Sequence, residues 1–558
     1  MIKRPRGPTL ATFALALLVA APLLVVASAL LAPASESWPH IREHLLAGYL
    51  QNTALLLLGV ALLSAFIGIP TAWLCAARTF PGVGAFRWLL ALPLAAPAYV
   101  IAYVYTDLLE YAGPVQSALR SLTGWGPGDY WFPSIRSLGG AVLVLALTLY
   151  PYVYLLCRSL FEQQAGAQLE SARVLGASGA RAFWRVVLPA ARPAIAGGLA
   201  LVMMETAADF GVVEFFGVPT FATGIFRAWF GMGDQAAALQ LAAGLLAVAL
   251  LLVLLERMAR RGKVGNPLSR SRPLPRTPLT GGSAVAATAL CALPVLFGFA
   301  LPAGILLYYA LTVGDPLFGA RFARLLGNSA FVAGTTAALA VIAALLLCYA
   351  ERQRPLGRPL QGAVRLATLG YALPGAMLAL GVLSAFSSAD QALAQWRRDL
   401  FGGQPTLWLT GSVAALVFAY LVRFLTVAYN ACHGGFEKIS PRLDEVSRTL
   451  GAGPRRVLTR VHWPLLRPAA LTGALLVFID VLKELPATLI LRPFNFDTLA
   501  TRVYQLAADE RLPQAATAAL VLIVLGTLQV LLVNRRTQAA TGTEAPQSSP
   551  SRVQLPTR

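Results

Sequence analysis

Long apolar stretches alternate with short polar segments along nearly the whole chain. A helix that crosses a bilayer needs about 20 mostly apolar residues. Twelve stretches meet that length, approximately 10–31, 53–76, 88–109, 138–157, 194–215, 236–255, 283–311, 329–350, 366–387, 411–431, 469–491 and 516–533. The pattern predicts an all-α polytopic membrane protein with about 12 transmembrane helices. The first stretch follows Lys3, Arg4 and Arg6, as the core of a signal peptide would. At about 22 residues it exceeds the roughly 7–15 apolar residues of such a core, so it is expected to be a retained helix.

Composition agrees with a membrane chain but adds a puzzle. Of 558 residues, 57% are hydrophobic and 13% charged, against about 25% charged in a soluble domain. Yet 45 Lys and Arg face 25 Asp and Glu, a formal net charge of +20. With the N-terminus inside, 32 of the 45 basic residues fall on the cytoplasmic side. That bias is the positive-inside rule, which predicts both termini in the cytoplasm. The surplus is therefore a topology signal, and nucleic acid is not an expected partner. The five cysteines (Cys75, Cys157, Cys291, Cys348, Cys432) show no CxxC and no clustering, so they predict reduced packing residues, with no metal site assigned.

The chain is also a duplication. Residues 169–193 (LESARVLGASGARAFWRVVLPAARP) align without gaps on 444–468 (DEVSRTLGAGPRRVLTRVHWPLLRP), with eleven of 25 positions identical at a constant offset of 275. Shorter echoes pair Asn52-Thr53 with Asn328-Ser329, and Pro97 with Pro374. Six spans per half, an even number, make the halves parallel repeats of one orientation. The organisation predicted is a first half at 1–255, a basic cytoplasmic linker at 256–280, a second half at 281–535 and a disordered cytoplasmic tail at 536–558. The repeated loop lies between the fourth and fifth spans of each half. Its composition predicts two short helices hinged at Gly176 or Gly451, the second ending near Pro189 or Pro464.

The spacing Glu170, Gly176, Val186, Pro189, repeated as Glu445, Gly451, Val461, Pro464, resembles the "EAA" loop of ABC-importer permeases. Ser171-Ala172 and Val446-Ser447 depart from the family's Ala-Ala, and Trp463 replaces the usual Leu before Pro. The resemblance implies two fused permease domains, at about 48–255 and 324–533. In that family the loop is a coupling helix that docks on a cytoplasmic ATP-binding subunit, here implied as a homodimer. It further implies a periplasmic substrate-binding protein, a bacterial inner-membrane location and alternating access driven by ATP. No GxxxxGK[ST] phosphate loop occurs in the chain, so ATP and Mg are expected on the partner ATPase, with no cofactor on this chain and no enzyme activity of its own.

For the cargo, residues 205–234, 483–511 and 97–105 are similar in wording to double-length permeases of ferric-iron importers. Thiamine permeases of the same double length are the nearest alternative. The residues add an independent argument, because ionisable side chains inside a span are costly and point to function. Glu205 and Asp209 stand at i, i+4 on the fifth span, which predicts one shared helix face, and the offset of 275 places Asp480 and Glu484 likewise on the eleventh. These four carboxylates are the expected pathway residues; the alternative is that they pair with Lys483, Arg423 or backbone donors. A hard trivalent cation favours such oxygen ligands. His40 and His44, near Glu36 and Glu43, have helical metal spacing but fit a solvated interfacial segment better. Tyr99, Tyr103 and Tyr105 offer phenolic oxygens or, more simply, interfacial anchors. A twelve-helix secondary transporter would carry an Asp in the loop after the second span, whereas residues 78–87 read RTFPGVGAFR. A membrane enzyme would need a convergent catalytic cluster, and only four His occur, His433 and His462 both near the second repeated loop.

Overall fold

The computed structural model describes residues 7–260, 276–316, 318–353, 357–401 and 407–542. Ten of its helices are long and apolar enough to cross a membrane, and two bent pairs raise the number to as many as twelve. The bent pairs are the expected third and fifth spans. Val83–Ala95 and Ala98–Thr123 meet at 89°, and Phe183–Ala190 and Arg192–Ala208 at 59°. The first break has a local cause: Pro93 lies in a short 3-10 turn and Pro97, in extended backbone, caps the next helix. Strands are limited, among the described residues, to Arg78–Thr79 and Thr277–Pro278, a two-residue parallel pair that ties the end of the expected linker to the loop after the second span. Residues 261–275 of that linker and 543–558 of the expected tail lie outside the described residues. The last helix, Leu512–Gly542, runs on past residue 536 where a tail was expected.

Each half sends its first helix onto the other. Gly7–Ser28 packs on Ala320–Gln353, Arg358–Ala367 and Gly375–Phe401, all of the second half. The second half's first span reaches back, with Tyr105 Oη donating to the Phe297 carbonyl at 2.6 Å and Tyr309 Oη to Asp107 Oδ2 at 2.6 Å. The N-terminal helix is thus an integral packing element.

The echo of Asn52-Thr53 in Asn328-Ser329 has a structural meaning. In each half the Asn side chain donates to a loop carbonyl, Asn52 to Pro219 and Asn328 to Asp497, both at 3.0 Å. The neighbouring hydroxyl accepts the first amide of the helix that follows, Thr53 from Phe221 at 3.3 Å and Ser329 from Leu499 at 2.8 Å. Those helices each begin with a Thr/Thr capping box, Thr220 with Thr223 and Thr498 with Thr501. One hydrogen-bonded corner is therefore built twice from the repeated dipeptide. Asn52→Leu and Asn328→Leu are each expected to lower stability by about 1 kcal/mol, because a half-buried carbonyl loses its donor. Thermal unfolding of the purified chain in detergent checks this; an unchanged midpoint for both variants contradicts it.

Candidate transport pathway and coupling loops

A cavity of about 190 Å³ lies where the two halves meet, and Glu205, Asp209, Asp480 and Glu484 all line it. Lys483, Arg423, Tyr99, Tyr152 and Tyr371 share the wall. The halves meet directly there, with the Tyr152 and Tyr371 hydroxyls 3.4 Å apart. Lys483 Nζ donates across the same junction to the Leu94 carbonyl at 3.1 Å. Four carboxylates stand against two cations, so the formal charge of the wall is negative.

The expected shared helix faces are not what brings the acids together. The helix carrying Glu205 stops at Ala208, and Asp209 follows in extended backbone with ψ 130°. Its carboxylate accepts the Val212 and Val213 amides at 2.9 and 3.4 Å, capping the short helix Gly211–Phe215. Glu484 repeats this arrangement. The Trp463–Lys483 helix ends before it, and its carboxylate accepts the Ala487 and Thr488 amides at 3.0 and 3.2 Å at the start of Pro486–Leu491. A carboxylate opposite unpaired N–H groups at a helix start is favourable, and inside a membrane those amides have no water to turn to. The expected spans 194–215 and 469–491 are therefore broken helices whose second acid is the break.

The pairing alternative holds for Asp209, through backbone donors, and for Glu484, through backbone donors and Arg423. Arg423 donates to Glu484 at 2.9 Å, with the two side chains only 11% and 2% exposed. Gly375 faces this pair, and a Cβ there would collide with both partners. Glu205, by contrast, has no hydrogen-bond partner among the described residues. The halves differ at this point. At the offset of 275, Arg423 and Lys483 replace Thr148 and Ala208, so both intramembrane cations belong to the second half. Tyr99, Tyr103 and Tyr105 are buried (at 5, 2 and 6% exposure), which removes the interfacial-anchor role; Tyr99 faces the cavity because the break at Pro97 turns its helix inward.

The repeated loops keep their glycines for conformation. Gly176 and Gly451 have φ of 79° and 77°, in the left-handed region. Each ends a helix with the same bond, Ala177 N to Ala172 O at 2.9 Å and Ala452 N to Ser447 O at 3.0 Å. Nothing lies within 4 Å of either glycine's missing Cβ, so close packing is not their role. The leucine before each, Leu175 and Leu450, stands exposed at 86% and 81%. Val186 and Val461 are half-buried, and Glu445 is exposed on Pro441–Thr449. Glu170 lies on the 37-residue helix Leu138–Val174, and its side chain is outside the described residues.

Two expectations for the loops need correction. The first helix is short only in the second half, where Ser440-Pro441 starts a new one; in the first half it continues the span. The second helix does not end at Pro464 but runs through it into Trp463–Lys483. A π turn precedes each proline, Phe183–Val187 and Leu458–His462, and its wider hydrogen-bond ring accommodates a residue that lacks an N–H. In the first half the chain then bends at Ala191, close to Pro189 as expected. The second loop has an anchor that the first lacks. Asp444 accepts from Arg352 at 2.8 Å and pairs with His462 Nε2 at 2.6 Å. Burial pushes the Asp444 carboxyl up, but these two partners outweigh it and hold it below the ordinary carboxylate range. Val187 occupies the place of His462 in the first half.

Residues 68–261 and 350–538 match the family described as the binding-protein-dependent transport system inner membrane component. The chain belongs to this family. It is a multi-pass inner-membrane permease with the family's domain present twice in one polypeptide. The permease is 25% identical over 497 residues to the Fe(3+)-transport system permease protein FbpB 2 of Haemophilus influenzae, covering 88% of this chain and 90% of that one. It is 22% identical over 423 residues to the ferric transport system permease protein FbpB of Actinobacillus pleuropneumoniae, covering 72% of this chain and 58% of that relative. Among solved structures it is similar to the bacterial alginate ABC transporter in complex with an alginate pentasaccharide-bound periplasmic protein. That match has a TM-score of 0.38 and 16% identity, over 46% of the permease and 94% of that chain.

His40 and His44 are exposed on the consecutive helical segments Trp38–His40 and Ile41–Leu45, their rings tilted by 54° with centroids 5.0 Å apart. Among the described residues, the potential ligands that do converge are Cys348, Glu351 and His433, which sequence spacing missed because they come from two helices far apart in the chain. The five cysteines are free and buried.

Proposed function

We propose that this permease moves ferric iron across the inner membrane, and that Glu205, Asp209, Asp480 and Glu484 form the acidic wall of its path. The observation that carries this reading is the cavity at the junction of the halves, where four carboxylates and three tyrosines present oxygen to a space with two cations. Hard trivalent iron favours oxygen donors, and a net acidic wall lowers the cost of a cation in a low-dielectric interior. The names of the relatives from Haemophilus influenzae and Actinobacillus pleuropneumoniae support the same cargo. Both termini lie in the cytoplasm in this reading, as the distribution of basic residues favours. A periplasmic binding protein delivers the cargo, and the loops bearing Glu170, Gly176, Val186, Pro189 and Glu445, Gly451, Val461, Pro464 engage a separate ATPase that holds ATP and Mg. The exposed Leu175 and Leu450 supply an apolar anchor for that contact at equivalent places in the two halves. ATP-driven closure of the ATPase pair would then move each half about the central cavity.

Within the wall the acids divide by role. Asp209 and Glu484 hold half-helices in place, whereas Glu205 and Asp480 sit within regular helix and face the cargo, Asp480 with Gln529 and Lys483 beside it. Glu205→Gln combined with Asp480→Asn is expected to reduce ATP-dependent uptake of radiolabelled ferric ion into vesicles about tenfold or more, a loss of at least ~1.4 kcal/mol of pathway stabilisation. Assembly with the ATPase should be unchanged. Full uptake by the double variant would remove these carboxylates from the path, and accumulation of thiamine in place of iron would overturn the cargo.

A further inference from the structure

Beyond the cavity, one cluster of side chains has ligand chemistry that neither the transport path nor the coupling loops use. Cys348 and Glu351 stand at i, i+3 near the end of the Ala320–Gln353 helix, and His433 faces them from Val413–Glu437. One ligand atom from each, Sγ, a carboxylate oxygen and an imidazole nitrogen, lies within 4.8 Å of the other two. Ligands about 2.0–2.3 Å from a tetrahedral ion stand ~3.3–3.8 Å apart, so closing on an ion needs shifts of about 1 Å or less. Glu351 Oε2 and His433 Nδ1 are already at 3.6 Å.

The surroundings orient these groups as the outer partners of a metal site do. Tyr429 Oη donates to Glu351 Oε2 at 2.8 Å and stacks on the His433 ring, with centroids 5.3 Å apart. On the far side, His433 Nε2 lies 3.5 Å from the Glu437 carboxylate, the kind of outer carboxylate that orients a ligating imidazole, while Nδ1 faces Glu351. Cys348 is 2% exposed and His433 about half-exposed, so the cluster has a closed floor and an open mouth.

The duplication supplies an internal comparison. At the offset of 275, Tyr429, His433 and Glu437 correspond to Tyr154, Arg158 and Glu162. In the first half Arg158 donates to the Arg87 carbonyl and lies 3.2 Å from Tyr154 Oη. A guanidinium has no lone pair for a metal, and Ala76 or Cys75, depending on the register, stands where Glu351 would be. The second half has thus exchanged a closed cation contact for three convergent ligands.

We propose that Cys348, Glu351 and His433 form a binding site for a borderline divalent transition metal, of which Zn2+ and Fe2+ are the representatives, separate from the cargo path. The mixed sulfur, nitrogen and oxygen set suits such an ion and suits hard ferric iron poorly. The bound ion would tie Ala320–Gln353 to Val413–Glu437 just before the second coupling loop.

Cobalt(II) reports thiolate ligation by a charge-transfer absorption, and no cysteine lines the central cavity. Titrating the purified full-length permease with Co2+ should produce this absorption at one equivalent, with displacement by Zn2+. Cys348→Ser should abolish it. His433→Arg, which restores the first half's residue and puts a cation in place of a ligand, should likewise leave no absorption at the Co2+ concentration that saturates the wild type. Zn2+ should raise the unfolding temperature of the wild type and of neither variant. Absence of thiolate absorption in the wild type overturns the proposal, as does absorption that survives Cys348→Ser or His433→Arg. Unfolding of the metal-free variants at the wild-type temperature shows that a lost signal is a lost ligand.

Discussion

Glu484→Ala is expected to lower the stability of the permease by about 3–5 kcal/mol and to abolish uptake, the largest effect of any single substitution considered for the central cavity. Three losses coincide at that position. Arg423, only 11% exposed, loses the carboxylate that pairs with it directly in a low-dielectric interior. The amides of Ala487 and Thr488 lose their acceptor, so the Pro486–Leu491 half-helix loses its cap. The Thr488 hydroxyl, which bonds the Glu484 carboxylate at 3.1 Å and also meets Tyr420 Oη, loses a partner as well. These contributions are separable. Glu484→Gln keeps an oxygen for the amides and removes the charge, so it should be milder than Glu484→Ala in stability. Removing both charges with Arg423→Met and Glu484→Met should recover part of the stability lost in Glu484→Ala, because a missing pair costs less than a lone buried ion. Thermal unfolding in detergent and vesicle uptake measure the two effects. A double variant no more stable than Glu484→Ala would show that the cap, rather than the charge, dominates.

Gly176→Pro together with Gly451→Pro should reduce coupled uptake by about tenfold or more while the chain still inserts in the membrane. Proline is held near φ −65°, and these positions need 79° and 77°, so the helix end cannot form in either loop. The effect is local, since nothing packs against either glycine. Asn enters the left-handed region at modest cost, so Gly176→Asn with Gly451→Asn should retain most activity. Membrane abundance, uptake and stimulation of the partner ATPase by substrate-loaded binding protein are the measurements. Survival of uptake and stimulation in the proline variant would remove the loops from the coupling role.

The readability of the chain varied with the range of the interaction concerned. Helical spans follow from local hydrophobicity, since a bilayer-length apolar run has few alternatives to a helix. Ten unbroken helices and two bent pairs meet that expectation. The bends were partly written locally: Pro93 and Pro97 signal the first one, and Gly176 and Gly451 were visible as helix ends. The stops at Ala208 and Lys483 carry a fainter signal, Gly211 and Pro486 three residues on at the same offset of 275. Each depends instead on an acid that accepts the amides of the next short helix, and periodicity treats that acid as one more position on a face. The Asn-Thr and Asn-Ser echo was legible as a repeat, yet its purpose required knowing that residues 219–221 and 497–499 return to it.

Sequence alone determined the helical class, the parallel duplication, the paired glycine-hinged loops and the four intramembrane acids, all properties set by composition or by spacing within a few turns. Only the tertiary structure decided that the halves exchange their first helices and that Asp209 and Glu484 are helix caps. It also decided that Arg423 belongs to Glu484 and that Cys348 and Glu351 meet His433. The two caps are local bonds three and four residues long, invisible to periodicity because the chain leaves the helix at the acid; the other pairings join residues from about 60 to several hundred positions apart, and which helix packs on which is a choice among non-local contacts that no local pattern encodes.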